Sequence, residues 1–153
     1  MMEVSTFVSV ALIIALPGIA ETVFCLPVLL SARTRALFRS LPPAGSVAVS
    51  YLCTVLALSV PFVAAVGAVF GLDIWRGPRY NVLIRGATFV SASYLIVLPA
   101  TAIIGLPRYG LDWDTTGYGV GTWGVLLVST LWYLALLLVP IVLLSALLAL
   151  PTG

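Results

Sequence analysis

Charged side chains are missing from three long stretches of this chain: 44–72, 86–107 and 115–153. A helix needs about 20 mostly apolar residues to cross the hydrocarbon core of a bilayer. Two shorter uncharged stretches, 4–20 and 22–32, reach that length together only if one helix tolerates Glu21 between them. Charged residues make up 8% of the chain, against about a quarter in soluble domains, so a water-soluble globular fold is excluded.

We predict an all-α membrane protein with four transmembrane helices, in one integral membrane domain over 1–153. The predicted spans lie at approximately 5–30, 45–71, 86–106 and 124–150. The start of the chain, Met1-Met2-Glu3, has no positive charge, so we interpret the first span as a helix rather than a cleavable signal peptide. Arginine in place of every lysine is typical of a GC-rich microbe, and we expect the protein in its cytoplasmic membrane.

An internal repeat indicates two related helical hairpins. The two predicted hairpins cover approximately 5–72 and 86–150. At a shift of 82 residues, eight of the fifteen residues in 6–20 are identical to those in 88–102, and Tyr51 aligns with Tyr133. Hairpins that repeat in the same orientation are related by a pseudo-twofold axis along the membrane normal. We expect such an axis in this bundle.

The residue inventory excludes several classes of chemistry. The chain has no histidine and no lysine, so it lacks an imidazole base, a Ser-His or Cys-His dyad, a Schiff-base lysine and a P-loop lysine. Its two cysteines, Cys25 and Cys53, do not form a zinc motif. The net charge of +2 is dispersed along the chain, so we expect no nucleic-acid partner. We expect no metal and no cofactor.

Glu21 is the acidic residue expected deep in the bilayer. It lies ten residues before the end of the first apolar stretch, which is ~15 Å along a helix and close to mid-bilayer. A carboxyl at that depth must be protonated, ion-paired or in contact with water. Two interpretations stay open: a proton- or cation-coupling site, or a protonated carboxyl that donates to a hydroxyl or to a carbonyl freed by Pro17. The candidate polar neighbours are Tyr51, Thr54, Ser59, Ser91 and Tyr94.

A single first-span glutamate, Glu21 after Ala20, together with a weak charge bias, is similar to the pattern of the small multidrug resistance transporters. The resemblance covers this one position, because the chain is longer and its later spans do not carry that family's glycine and tryptophan pattern. By analogy, it implies a small coupled transporter that uses Glu21.

Every predicted span contains a proline well inside it: Pro17, Pro61, Pro99 and Pro140. Proline removes a backbone donor and bends a helix. In lipid, the freed carbonyl needs a donor from a neighbouring element or from water. These bends fit either simple kinked packing or hinges around a polar cavity.

The second span also carries small residues at helical spacing: Ala64, Gly67, Ala68 and Gly71. Small-xxx-small pairs let two helices approach closely in a membrane. The pattern predicts helix packing, either inside the monomer or between two copies in a homodimer.

Arginines cluster in the connections between spans: Arg33, Arg35, Arg39, Arg76, Arg79 and Arg85. We expect them to contact lipid headgroups, with a specific anionic lipid or partner as the alternative. With four spans, the first and third connections lie on the same side of the membrane. That side has four arginines and the other has three, so the positive-inside rule leaves the orientation undetermined.

The third connection contains two aspartates, Asp112 and Asp114, in a turn-rich segment. As a calcium loop it fails, because Trp123 occupies the position of the bidentate glutamate. We therefore predict a solvated turn at the membrane interface.

Three functions remain. We rank first a non-enzymatic structural or accessory subunit that packs with another membrane protein. A small proton- or cation-coupled transporter or channel component that uses Glu21 is the alternative. An interfacial lipid-modifying enzyme that uses Asp73, Asp112 or Asp114 ranks last, because these loops do not assemble an acid, a base and a nucleophile.

Overall fold

The computed structural model describes residues 18–43, 46–71 and 77–150, and its regular elements are helical, with no strand in those ranges. In chain order the elements are α1 (18–24), a 3₁₀ turn (Leu26–Leu30), α2 (Ala32–Ser40), α3 (Val47–Gly71), α4 (Arg79–Ala100) and α5 (Val120–Ala149). After α4 the chain continues through a π turn (Thr101–Gly105) and one short helical turn (Leu106–Arg108). The all-α prediction is therefore confirmed for the described residues.

Three helices are long and apolar enough to cross a membrane: Val47–Ala68, Tyr80–Arg108 and Val120–Leu147. They correspond to the second, third and fourth predicted spans. Helix α4, which corresponds to the third predicted span, begins at Arg79 and therefore earlier than the predicted boundary at 86. One exposed arginine, Arg85, lies within its first turns, where a long side chain can extend towards the headgroups.

The first predicted span, 5–30, is not confirmed as a continuous helix. Residues 5–17, which include Pro17, lie outside the described residues. Helix α1 ends at residue 24, and the chain turns at Cys25, so the predicted boundary at 30 is wrong. Pro27 is the cause, because it has no N–H to donate to the carbonyl four residues earlier. A total of four spans stays a prediction.

The first connection, taken from sequence as a link between spans, is itself the helix α2. Its buried residues Thr34, Leu37 and Phe38 lie on one helical face. Phe38 packs edge-to-face on Tyr51 of α3, with ring centroids 5.3 Å apart. Helix α2 contacts both α3 and α5. It is an amphipathic helix that covers one end of the bundle.

Helix α4 packs against both α3 and α5. Buried apolar side chains such as Phe62 and Leu137 form the core between the helices. The outer faces expose large apolar side chains such as Ile96 and Leu147, which suit hydrocarbon rather than water. Most of the first repeat segment, 6–20, lies outside the described residues, so the pseudo-twofold axis stays a prediction.

Pro61, Pro99 and Pro140 lie inside α3, α4 and α5, as predicted. Proline weakens the helical hydrogen bonds of the preceding turn. In that turn of α3, the hydroxyl of Tyr94 from α4 donates to the carbonyl of Leu58, at 2.9 Å. The neighbouring helix thus supplies a donor beside the proline.

The π turn after α4 leaves one carbonyl without a backbone donor. The N–H of Leu106 donates to the carbonyl of Thr101. The next carbonyl, that of Ala102, would need an N–H from Pro107, and proline has none. The indole Nε1 of Trp113 donates to Ala102 instead, at 2.6 Å. The loop before α5 is therefore joined to the end of α4.

Candidate functional site

Helix α1 brings Glu21 into the interior of the bundle, beside the middle of α3 and α5. The glutamate is 3% exposed. Its Oε2 atom lies 2.6 Å from Oγ of Ser59 on α3. Ser59 Oγ lies 3.3 Å from the hydroxyl of Tyr133 on α5. We call these three residues the Glu21 cluster, and it joins α1, α3 and α5.

The Ser59 hydroxyl has one proton to donate but three oxygen neighbours. Besides Glu21 and Tyr133, it lies 2.7 Å from the backbone carbonyl of Val55, which can only accept. When Ser59 donates to that carbonyl, its contact with Glu21 needs a proton on the carboxyl, and its contact with Tyr133 uses the phenol proton. A neutral Glu21 satisfies all three contacts and avoids an unpaired charge in an apolar interior.

Ser59 is the one predicted neighbour that hydrogen-bonds the Glu21 carboxyl in the described part of the chain. Tyr51 lies close by and donates to the carbonyl of Thr22 on α1, at 2.7 Å. The other three make no hydrogen bond with Glu21: Thr54, Ser91 and Tyr94. Sequence reasoning missed Tyr133. The signal that could have identified it is the internal repeat, which aligns Tyr133 with Tyr51.

The end of α1 is held by side chains of two other helices. The last carbonyls of a helix have no intrahelical donor, and lipid supplies none. Tyr51 donates to Thr22, and the indole Nε1 of Trp132 on α5 donates to the carbonyl of Phe24, at 3.0 Å. Together with the carboxyl of Glu21, these bonds fix α1 to α3 and α5.

The second carboxyl oxygen of Glu21, Oε1, is buried and has no hydrogen-bond partner among the described residues. Buried polar atoms without a partner are rare and costly in folded proteins. Among the described residues, this oxygen is the one atom of the Glu21 cluster whose bonding is incomplete.

A cavity of about 240 Å³ lies beside the Glu21 cluster and is bordered by Tyr133. Residues of α2 line its interface end, and α3, the π turn and α5 form its walls. The pocket is half open. Pro99 borders the cavity, but the lining is mainly apolar, unlike the polar cavity considered from the sequence. Among the described residues, none that borders it is charged.

A second polar cluster lies at the interface end, where the loop 109–119 leads into α5. Asp114 Oδ2 accepts a hydrogen bond from the hydroxyl of Thr122 at 2.5 Å. Asp114 Oδ1 accepts from the backbone N–H and the hydroxyl of Thr116, at 3.0 and 2.6 Å. Arg33 of α2 lies 3.9 Å from Oδ2. This contact joins the first and third connections at one end of the bundle.

Asp114 is 7% exposed, so the prediction of a solvated turn is wrong for this residue. Burial raises the pKa of its carboxyl, but the hydrogen bonds from Thr116 and Thr122 and the charge of Arg33 lower that pKa by more. The net pKa of Asp114 therefore lies below its ordinary value. Asp114 is an ionised structural group that organises the loop and the start of α5.

Two arginines that were expected to contact lipid headgroups have protein partners. Arg33 lies against Asp114 and donates to the hydroxyl of Thr116, at 3.4 Å. Arg35 donates to two carbonyls at the end of the 3₁₀ turn, at 3.0 and 3.2 Å. Arg39 and Arg85 are exposed, and Arg79 is the first residue of α4. Arg76 lies outside the described residues.

The small residues of α3 lie on its outer surface. Ala64, Gly67 and Ala68 are exposed, and Gly71 ends the helix. A Cβ atom added at Gly67 would meet no described atom within 4 Å. Helix packing inside the monomer, one of the two interpretations of this pattern, is therefore not observed for the described residues.

We predict that Ser59→Ala lowers the free energy of unfolding by about 1–3 kcal/mol, because it leaves the buried Glu21 carboxyl without a partner. Ser145→Ala is the matched control. Both serines are 1% exposed and donate to the carbonyl four residues earlier, but among the described residues Ser145 has no side-chain partner. Its loss should be below about 1 kcal/mol. Unfolding in detergent measures both values, and equal losses would contradict the role of Ser59.

We also predict an acid-dependent loss of stability that depends on Asp114. Because its pKa is lower in the folded protein, Asp114 stabilises the fold above its ordinary pKa of about 4, and this contribution is lost as the pH falls through the folded value. Thermal unfolding between about pH 6 and 3 should show a steeper decline in the natural protein than in Asp114→Asn. The exposed Asp112 provides the control, since Asp112→Asn should keep the steep decline. A decline that is unchanged in Asp114→Asn would refute this role.

Comparison with known proteins identifies a family for this chain. Residues 5–152 match the family described as Domain of unknown function (DUF8162). No curated protein and no solved structure matches the chain. The family match includes both the Glu21 cluster and the Asp114 loop. Because it extends over nearly the whole sequence, the chain belongs to the DUF8162 family.

Proposed function

We propose that this protein is a non-enzymatic structural or accessory subunit that packs against another protein in the cytoplasmic membrane. The observation that carries the proposal is the outward position of Ala64, Gly67 and Ala68 on α3. In a membrane, small residues at helical spacing let the backbone of a second helix approach closely. A surface of this kind that is not used inside the described part of the chain is available to a partner helix.

The bonding of the polar side chains supports the same proposal. Ser59 and Tyr133 hold the Glu21 carboxyl, and Arg33 holds Asp114. These bonds join helices of this chain to one another. The work of its polar groups is thus internal packing, which is what an accessory subunit requires.

The test is co-purification after extraction in a mild detergent. We expect a stoichiometric membrane partner, and we expect Gly67→Leu to reduce its recovery at least tenfold, because the added side chain blocks close approach. The open space around Gly67 lets the variant fold normally. Ala135→Leu, at an exposed alanine of α5, is the control and should keep the partner. A monodisperse monomer, or a homodimer of this chain alone, would contradict the proposal.

A coupled transporter or channel component is the second candidate, favoured by the buried and unpartnered Oε1 atom of Glu21. Hydrophobic carbodiimides modify protonated carboxyls within the apolar phase of a bilayer. If Glu21 couples transport, its labelling should fall when Na⁺ or K⁺ is added, and Glu21→Gln should lose cation or proton flux in liposomes while it folds normally. Labelling that ignores added cations, with unchanged flux in Glu21→Gln, would exclude this role.

A further inference from the structure

The cavity beside the Glu21 cluster is a half-open pocket in the side of the bundle. At about 240 Å³ it exceeds the apolar cavities of about 150 Å³ that bind benzene in other proteins. Its lining side chains lose dispersion contacts when no atoms fill the space. An occupant that supplies those contacts would therefore be stabilised.

Three hydroxyl residues on the cavity wall have no hydrogen-bond partner among the described residues: Thr101, Ser129 and Thr130. Elsewhere in the membrane helices, a serine or threonine hydroxyl usually donates to the carbonyl four residues earlier. This holds at Thr54, Ser59, Thr88, Ser93 and Ser145. The buried Ser91 hydroxyl of α4 is also unpartnered among the described residues but does not line the pocket. The hydroxyls of Thr101, Ser129 and Thr130 border the pocket, where a bound molecule could use them.

The three hydroxyl residues lie at a similar depth on two facing walls. Thr101 is at the start of the π turn that follows α4, about 10 Å from Arg108 along the helix. Ser129 and Thr130 lie about 14 Å from the start of α5 at Val120. The end of α4 and the start of α5 both lie at the interface that α2 covers, so the three hydroxyl residues line the same pocket at a similar depth.

We propose that this cavity binds a compact, uncharged, mostly hydrocarbon molecule that carries one hydroxyl or carbonyl group. The apolar lining excludes ions and strongly polar solutes, because no described lining residue offers an opposite charge. The zone of Thr101, Ser129 and Thr130 selects for a single hydrogen-bonding group on the ligand. This site is separate from the outer face of α3, so it does not depend on the proposed partner.

The experiment uses the full chain in liposomes and a photoreactive probe, 4-(trifluoromethyl-diazirinyl)benzyl alcohol. Light attaches the probe to nearby side chains, and mass spectrometry locates it. We expect saturable labelling around residues 126–133 that excess benzyl alcohol prevents. Leu98→Trp fills the cavity and should remove at least three quarters of this labelling. Val97→Trp is the control, because Val97 is 55% exposed on the outer face.

A second variant adds no bulk and tests the polar zone directly. Ser129→Ala combined with Thr130→Val removes two hydroxyls, so the alcohol probe should bind about fivefold more weakly. The analogue with a methyl group in place of the hydroxymethyl group should bind equally to both proteins. Labelling that benzyl alcohol does not prevent, or that is the same in Leu98→Trp and Val97→Trp, would overturn the proposal. If the double variant bound the alcohol probe and the methyl analogue with the same loss of affinity, the site would not select for a polar group on the ligand.

Discussion

Backbone carbonyls that lack a donor at proline residues and helix ends determine how the described helices are joined. Hydrocarbon contains no water to replace a missing N–H group, so another part of the protein must supply the donor. Tyr51 and Trp132 donate to the end of α1, and Trp113 donates to the π turn. Tyr94 adds a donor to the carbonyl of Leu58 on α3, next to the carbonyl of Ala57 that Pro61 frees. All four donors are aromatic. Each therefore fills space with its ring and joins two elements with its polar tip.

In the Glu21 cluster, too, the protein must supply the hydrogen-bond partners that hydrocarbon lacks, but here one oxygen has none among the described residues. Ser59 and Tyr133 complete the bonding of one carboxyl oxygen, and the other is left buried without a partner. A protein that needed Glu21 only to hold α1 could use a neutral amide at this position. The acidic side chain and its incomplete bonding therefore fit a coupling role as well as a packing role. The two roles differ in one respect: in a coupling role, added ions reach the Glu21 carboxyl.

The interface end and the outer face of the bundle differ in the residues that they present. At the interface end, Arg33 and Asp114 fix α2 to the loop before α5, and α2 lines the cavity. On the outside, Gly67 and its small neighbours form the surface proposed for a partner. The ligand site and the partner surface share no residue, so a mutation in one should leave the other intact.

The three helices that are long and apolar enough to cross a membrane were predictable from the sequence, because helical hydrogen bonds are local and a span needs only about 20 apolar residues. Glu21 and Ser59 were also identified there, since polar residues are conspicuous in an apolar segment. The end of α1 at residue 24, the helix α2 and the buried state of Asp114 were not. The end of α1 depends on Pro27, and helix α2 and the burial of Asp114 depend on contacts with distant parts of the chain.

Composition and spacing alone were thus enough to predict the helical class, the long apolar helices and the candidate acidic residue. Packing between helices brings Tyr133 into the Glu21 cluster and places the Trp113 indole against the carbonyl of Ala102, and it leaves an apolar pocket between them. The physical reason is that contacts between helices depend on the rotation and depth of each helix. An almost uniformly apolar sequence leaves both quantities undefined until the helices pack.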